Sequence, residues 1–284
     1  MPDSLRDLVP DQSPETLAKG FQFTEGPVWH PDRYLLFSDI AGDTIFRFVP
    51  GRGVQKFISP SRNSNGLTFD AAGRLLACEH GGRQISRISE SNTMVPLVRE
   101  YNGKPLNSPN DIVVHSSGSI FFTDPPYGID PDTGEQGFNG VYRVDTNGSI
   151  ALLRDDMERP NGLAFNNDES VLFVADSWKR HVLAYAVNAD FSLGEPSVFA
   201  DMDVAETGNP DGIKIDIENN MYVAGGGGIW AIDPSGKHLG TVEFPELPAN
   251  LAFGGARNMT LFVTARTGIY SIRVNVPGRP IFQA

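Results

Sequence analysis

A chain of 284 residues with 40% hydrophobic side chains can bury a sizeable core, as two average domains or as one all-β unit. Its formal net charge of −12 excludes the basic footprint that a nucleic-acid partner requires, and no apolar run approaches a membrane span. Cys78 is the only cysteine, which excludes an intrachain disulfide and a Cys-based zinc site.

The first residues, Met1 to Asp11, are polar and lack the apolar core of a signal peptide, so a cytoplasmic protein is expected. Beyond them helical periodicity is almost absent. Short β-type runs punctuated by turn residues dominate, among them 30 Gly and 21 Pro, and this favours a sandwich, barrel or propeller.

One local pattern decides among these. An oxygen-bearing side chain on a loop, often followed by Gly, runs into a short apolar strand. The copies in chain order are Glu25-Gly26-Pro27-Val28-Trp29, Asn65-Gly66-Leu67-Thr68-Phe69, Asn110-Asp111-Ile112-Val113-Val114, Asn161-Gly162-Leu163-Ala164-Phe165, Asp211-Gly212-Ile213-Lys214-Ile215 and Asn250-Leu251-Ala252-Phe253. They recur every roughly 40–50 residues, the length of a propeller blade.

Within the second period, strands are predicted at Gly66–Phe69, Leu75–Cys78, Gln84–Ile88 and Val95–Val98. Within the fourth they are predicted at 162–165, 171–175, 181–187 and 197–200, with Asx and Gly residues supplying the turns. The expected fold is therefore an all-β, six-bladed β-propeller with four-stranded antiparallel blades. Glu15–Phe21 is strand-like and precedes the first copy, so it is expected to close the last blade as its outermost strand. One domain is read over 1–284. Residues 1–13 form an N-terminal extension that packs outside or moves freely. A long loop at 124–140, carrying Asp124-Pro125-Pro126-Tyr127-Gly128, forms a flap within blade three or a packing insertion.

In a propeller the loops entering the innermost strands converge at one end of the central channel. Glu25, Asn65, Asn110, Asn161, Asp211 and Asn250 would then face one another as hard oxygen donors. Ca²⁺ suits such a set; zinc would call for His or Cys. Each Asx-Gly pair taken alone is an ordinary turn. Their common register is what points to a cation. Asp39, Asp124 and Asp176, at strand ends before turns, read as acceptors of backbone N–H bonds. Trp29 and Trp230 read as packing between blades, and Cys78 as a small core residue.

The runs Glu25-Gly26-Pro27-Val28-Trp29, Ser108-Pro109-Asn110-Asp111, Arg159-Pro160-Asn161-Gly162-Leu163 and Pro210-Asp211-Gly212 resemble the SMP-30/gluconolactonase/regucalcin-like family. Cys78-Glu79-His80-Gly81-Gly82-Arg83 and Phe122-Thr123-Asp124-Pro125-Pro126-Tyr127-Gly128 look most like its bacterial gluconolactonase branch. The resemblance runs from about Phe21 to Arg273. It implies a six-bladed propeller holding one divalent cation, usually Ca²⁺ with Mg²⁺, Mn²⁺ or Zn²⁺ as alternatives, and hydrolysis of a small-molecule lactone or ester.

Carried over by position, the resemblance makes Glu25, Asn161 and Asp211 metal ligands, and Asn110 a ligand or substrate contact. Asp211 also matches the proposed general base, with His80 in reserve. Substrate contacts are expected from Asn110, Asn65, Tyr127 and His80. Where the animal members carry a sugar-binding Arg, this chain has Ser108, and the flap around Tyr127 is expected to take over that contact. The leading expectation is a metal-dependent lactonase acting on sugar lactones such as gluconolactone. A hydrolase of aryl esters, other lactones or organophosphates at the same channel site is the alternative, and a non-catalytic interaction module is a third reading. Fold alone does not separate them, and oligomeric state is not legible.

Overall fold

The computed structural model describes residues 2–130, 132 and 134–280. Residues 1, 131, 133 and 281–284 of the expected 1–284 unit, including two positions of its 124–140 flap, lie outside the described residues. The described chain forms six four-stranded antiparallel sheets arranged as a six-bladed propeller. Five blades are built in chain order from the inside outward, beginning with the inner strands Thr24–His30, Ser64–Phe69, Ile112–Val114, Pro160–Phe165 and Ile213–Ile215. The sixth begins at Pro248–Gly254, continues through Thr260–Ala265 and Gly268–Arg273, and takes its outer strand from the chain start, Glu15–Lys19. That strand pairs antiparallel with Gly268–Arg273, so the chain start completes the last blade and the ring closes as expected.

The predicted strands of blades two and four are found within two residues of their expected ends. The core is divided into six apolar clusters among the described residues, one in each seam between neighbouring blades. This is why inner and middle strands read as continuous apolar runs: each face of a blade meets another blade. Trp29 stacks on Phe262 with ring centroids 4.8 Å apart, joining blade one to blade six.

Two local features were not expected. A single helical turn, Leu5–Leu8, sits in the N-terminal extension; the Asp7 carboxylate accepts the backbone N–H groups of Asp3 and Ser4, each at 2.9 Å. One turn is too short to show periodicity. Its Leu5 and Leu8, with Val9, are buried against blades five and six, so the extension packs on the outside of the ring. A two-stranded hairpin, Glu100–Tyr101 with Lys104–Pro105, leads into blade three.

The pattern that organises the sequence has a structural cause. The pairing of inner and second strands shifts register between Glu25 and Val28, Ser64 and Leu67, Pro160 and Leu163, and Pro248 and Asn250. Four of the six copies therefore sit on β-bulges, the device that re-aims a side chain out of strict alternation. In blades three and five the inner strand starts later, so Asn110 and Asp211 precede it on the loop. The Gly after the oxygen-bearing residue is steric. A Cβ on Gly26 would stand 1.9 Å from the backbone oxygen of Asn65, and one on Gly162 2.1 Å from that of Asp211. Each glycine lets the next blade's loop close on the channel.

Candidate active site in the channel

The inner strands run between two cavities. The upper one, of about 560 Å³, is lined by Glu25, Asn65, Asn110, Asn161 and Asp211 from blades one to five. His80, Tyr127, Ser177 and Arg266 complete its polar wall. The lower one, of about 340 Å³, is walled mainly by the apolar ends of the same strands, such as Val28, Leu67, Phe165 and Phe253. The convergent oxygen donors make the upper cavity the candidate site.

The structure brings the predicted residues together, with one exception. Asn250 does not line the cavity. Its Nδ2 donates to Glu25 Oε2 at 3.0 Å, while its Oδ1 accepts Leu251 N at 2.8 Å. Gly26 N also donates to Glu25 Oε2, at 2.6 Å. Both bonds fall on one carboxylate oxygen, and among the described residues Oε1 receives none. Burial raises the Glu25 carboxyl, with the Asp111 charge adding to it against the bonds from Gly26 and Asn250 and the Lys214 charge.

The amides are turned by the partners of their nitrogens. Ser177 Oγ donates to Pro210 O at 2.6 Å and so has only a lone pair left for Asn161 Nδ2, 3.0 Å away. Asn161 Oδ1 is left buried without a partner. Asn65 Nδ2 lies 3.1 Å from His80 Nε2. An amide nitrogen can only donate, so the imidazole accepts there as the neutral ring. Burial lowers the His80 pKa to about 4, in keeping with that state. Asn65 Oδ1 is likewise left without a partner.

Asp211 is half-buried, its Oδ1 carries no hydrogen bond, and its carboxyl is pushed well up by burial and then by the charges of Glu25 and Asp111. Asn110 is 5% exposed and is fixed by its backbone, which donates to Thr123 O at 2.8 Å and accepts Gly66 N at 2.8 Å. Tyr127 is 43% exposed and lines the cavity from the flap. Ser108 accepts Gly128 N at 2.7 Å, and Arg83 pairs with Glu135 at 2.5 Å, so both ends of the described flap are tied down.

Asp39, Asp124 and Asp176 accept backbone N–H groups, as their strand-end positions imply. Asp124, for example, takes Asn107 N and Ser108 N, each at 2.7 Å. Cys78 is wholly buried and its thiol is pushed well up by burial, which leaves it inert.

Four residues went unrecognised in the sequence. Asp111, 3% exposed, stands where other copies carry Gly, and its Oδ2 has no partner. Arg266 and Ser177 line the cavity in the same register as His80, each one residue past the end of its blade's second strand. That second register, read beside the first, would have found both. Lys214, on the inner strand of blade five, lines the lower cavity.

The orphaned atoms test whether the site suits a cation. Asn65 Oδ1, Asn161 Oδ1 and Asp211 Oδ1 are all acceptors, buried without a donor, at one cavity. Buried acceptors left unpaired are costly, and a hard cation satisfies several at once. Among the described residues no group of three His, Cys, Asp or Glu side chains is placed to hold a metal, so amide oxygens would have to complete the shell. The donor set fits a divalent cation on those terms.

Residues 23–267 match the model of the SMP-30/Gluconolactonase/LRE-like region. The gluconolactonase of Zymomonas mobilis is 30% identical over 93% of this chain and 82% of its own length. The pentonolactonase of Haloferax volcanii is 27% identical over 86% and 81% respectively. The solved gluconolactonase from Xanthomonas campestris superposes with a TM-score of 0.87 at 32% identity, over 95% of this chain and 92% of that one.

Proposed function

The chain belongs to the SMP-30/gluconolactonase/LRE-like family, and from that premise we propose that it is a divalent-metal-dependent hydrolase that opens sugar lactones. The observation that carries this reading is the set of unpartnered acceptor oxygens on Asn65, Asn161 and Asp211 facing the same cavity as Glu25. The two relatives named for lactonase activity, on gluconolactone and pentonolactone, support the substrate class.

In this reading Glu25, Asn161 and Asp211 hold the cation, with Asn110 beside them. The cation, most simply Ca²⁺, supplies Lewis-acid polarisation of the lactone carbonyl. Asp211 takes the proton from the attacking water and passes it to the leaving ring oxygen. The negative charges of Glu25 and Asp111 favour its protonation, while a dication held by the same carboxylate would favour its ionised form, so the two influences oppose each other. Asn65 presents an acceptor, so we assign it to a substrate hydroxyl. His80 spends its Nε2 lone pair on Asn65, and we assign it to positioning that amide rather than to proton transfer. Tyr127 covers the substrate from the flap, with Ser108 holding the flap backbone.

The test is hydrolysis of glucono-1,5-lactone, a pentonolactone, phenyl acetate and paraoxon, before and after chelation and re-addition of Ca²⁺. Lactone opening that chelation abolishes and Ca²⁺ restores is the expected result. Turnover confined to the aryl ester or the phosphotriester would favour the alternative hydrolase. Failure of all four substrates would leave a non-catalytic propeller. Asp211→Asn is expected to lower kcat by about 10²-fold or more; full turnover in that variant would exclude Asp211 as the base.

A further inference from the structure

Lys214 is an unusual residue for its place. It lies at the middle of the three-residue inner strand Ile213–Ile215, between two isoleucines buried in the seam of blades four and five. Alternation therefore turns it to the opposite face, toward blade six, where it lines a lower cavity whose wall holds Val28 and Phe253 together with His115, Glu169 and Arg279. Its ammonium donates to Ile213 O at 2.9 Å and reaches Asn250 Oδ1 at 3.5 Å. None of the ion pairs among the described residues includes it. A half-buried lysine with no ion pair, on an innermost strand, is a residue that packing alone does not explain.

What it faces is Asn250. That amide has its oxygen toward Lys214 and its nitrogen on Glu25 Oε2, 3.0 Å away. Its dipole is thus aligned between the cation below and the carboxylate above. Around that carboxylate stand two more acids: the charge of Asp111 bears on both Glu25 and Asp211, and that of Glu25 on Asp211. Three carboxylates carry three negative charges; one dication and Arg266, in the wall of the same cavity, already offset them, so Lys214 brings one positive charge more.

We propose that Lys214 is a resident positive charge of the channel that, acting through Asn250 on Glu25, limits how tightly the upper cavity holds a dication. The proposal rests on the cation reading above. It makes Lys214 a positioning residue that touches neither substrate nor cation. Its sign distinguishes it from a packing role, because like charges repel. Removing the ammonium must strengthen cation binding, whereas damage to the ring would weaken it. Inside a protein a charge acts more strongly than in bulk water, and the effect carries across several ångströms.

The experiment is calorimetric titration of Ca²⁺ into the chelator-treated full-length protein, for the wild type, Lys214→Met and Lys214→Arg. The Met variant keeps the length of the stem and loses the charge; the Arg variant keeps the charge. Lys214→Met is expected to bind Ca²⁺ on the order of tenfold more tightly, with Lys214→Arg near the wild type. The rise in Tm on adding Ca²⁺ should also be larger in Lys214→Met than in the wild type. Should the metal-free Met variant not stay folded, it is purified with Ca²⁺ and the ion withdrawn by graded chelator, and the same ordering of affinities is expected. Equal or weaker binding by Lys214→Met, with a wild type that binds Ca²⁺, overturns the role of Lys214 and leaves the cation reading standing. A wild type that binds no divalent cation overturns the cation reading itself, and the role of Lys214 with it.

Discussion

Asn250 and Glu25 are separated by 225 residues and joined by a hydrogen bond of 3.0 Å from Asn250 Nδ2 to Glu25 Oε2. The bond links the inner strand of the last blade to that of the first, so the site's carboxylate is held by the closure of the ring itself. Removing it in Asn250→Ala leaves Glu25 Oε2 with the Gly26 N–H alone. The variant is expected to lose about 1–2 kcal/mol of stability. Calorimetry should show Ca²⁺ affinity weakened by roughly tenfold, as expected for a mispositioned ligand. Wild-type affinity in a folded variant would show that Glu25 needs no such support.

His80 separates positioning from proton transfer. With its Nε2 engaged by Asn65 and its pKa lowered to about 4 by burial, it stays neutral across the working range. His80→Ala is expected to raise KM for the lactone about tenfold, through a loosened Asn65, while kcat changes by no more than about threefold. The pH profile of kcat should keep its shape. A drop in kcat near the size of that in Asp211→Asn, with a lost limb in the profile, would instead make His80 the base.

Gly162 follows Asn161, and its missing side chain lets the blade-five loop close on the channel. A Cβ there would stand 2.1 Å from Asp211 O and 2.7 Å from Gly212 Cα, both backbone atoms that cannot swing aside. Gly162→Ala is expected to cost about 2–3 kcal/mol by overpacking. It should also displace Asp211 enough to remove most activity. A circular-dichroism melt beside a lactonase assay checks both at once.

Glu246 ties the closing strand into the ring. It accepts Tyr270 Oη at 2.6 Å and both Thr267 N and Thr267 Oγ1 at 2.7 and 2.8 Å, and it pairs with Lys19 at 3.3 Å. Burial alone would raise its carboxyl, but these bonds outweigh it and hold the pKa down to about 2, from 4.5. A depressed carboxylate stabilises the folded state fully above its unfolded value and loses that contribution as pH falls through the folded value. The wild type should therefore exceed Glu246→Gln by on the order of 2 kcal/mol near neutrality. The gap should narrow below about pH 4.5 and close near pH 2. Urea titrations of both proteins across that range measure it, and a gap independent of pH would refute it. Because Lys19 is 49% exposed, its share is small.

The blade repeat was legible because it is written in local chemistry. Each copy of the Asx-Gly or Glu-Gly pattern is a bulge or a loop entry that the chain specifies within a few residues, and the turn residues at 71–73 and 166–168 mark hairpins that need no distant partner. The common spacing then gave the number of blades, and Glu15–Phe21 had no place to pair except the last one. The polar ring at Glu25, Asn65, Asn110, Asn161 and Asp211 followed from that register alone.

What the sequence could not decide is how each side chain is turned once it arrives. Asn250 shares the register yet serves Glu25 from behind, because Leu251 N and Lys214 claim its oxygen. Asn161 and Asn65 offer oxygen to the cavity only because Ser177 and His80 take their nitrogens. Those partners lie one residue past the second strand of the same blades, 15 and 16 residues along the chain, and Ser177 is itself turned by Pro210 of the next blade. Hydrogen-bond direction and local charge depend on contacts between segments far apart in the chain. Spacing puts the donors at one mouth; the closed ring alone determines which atoms they present to it.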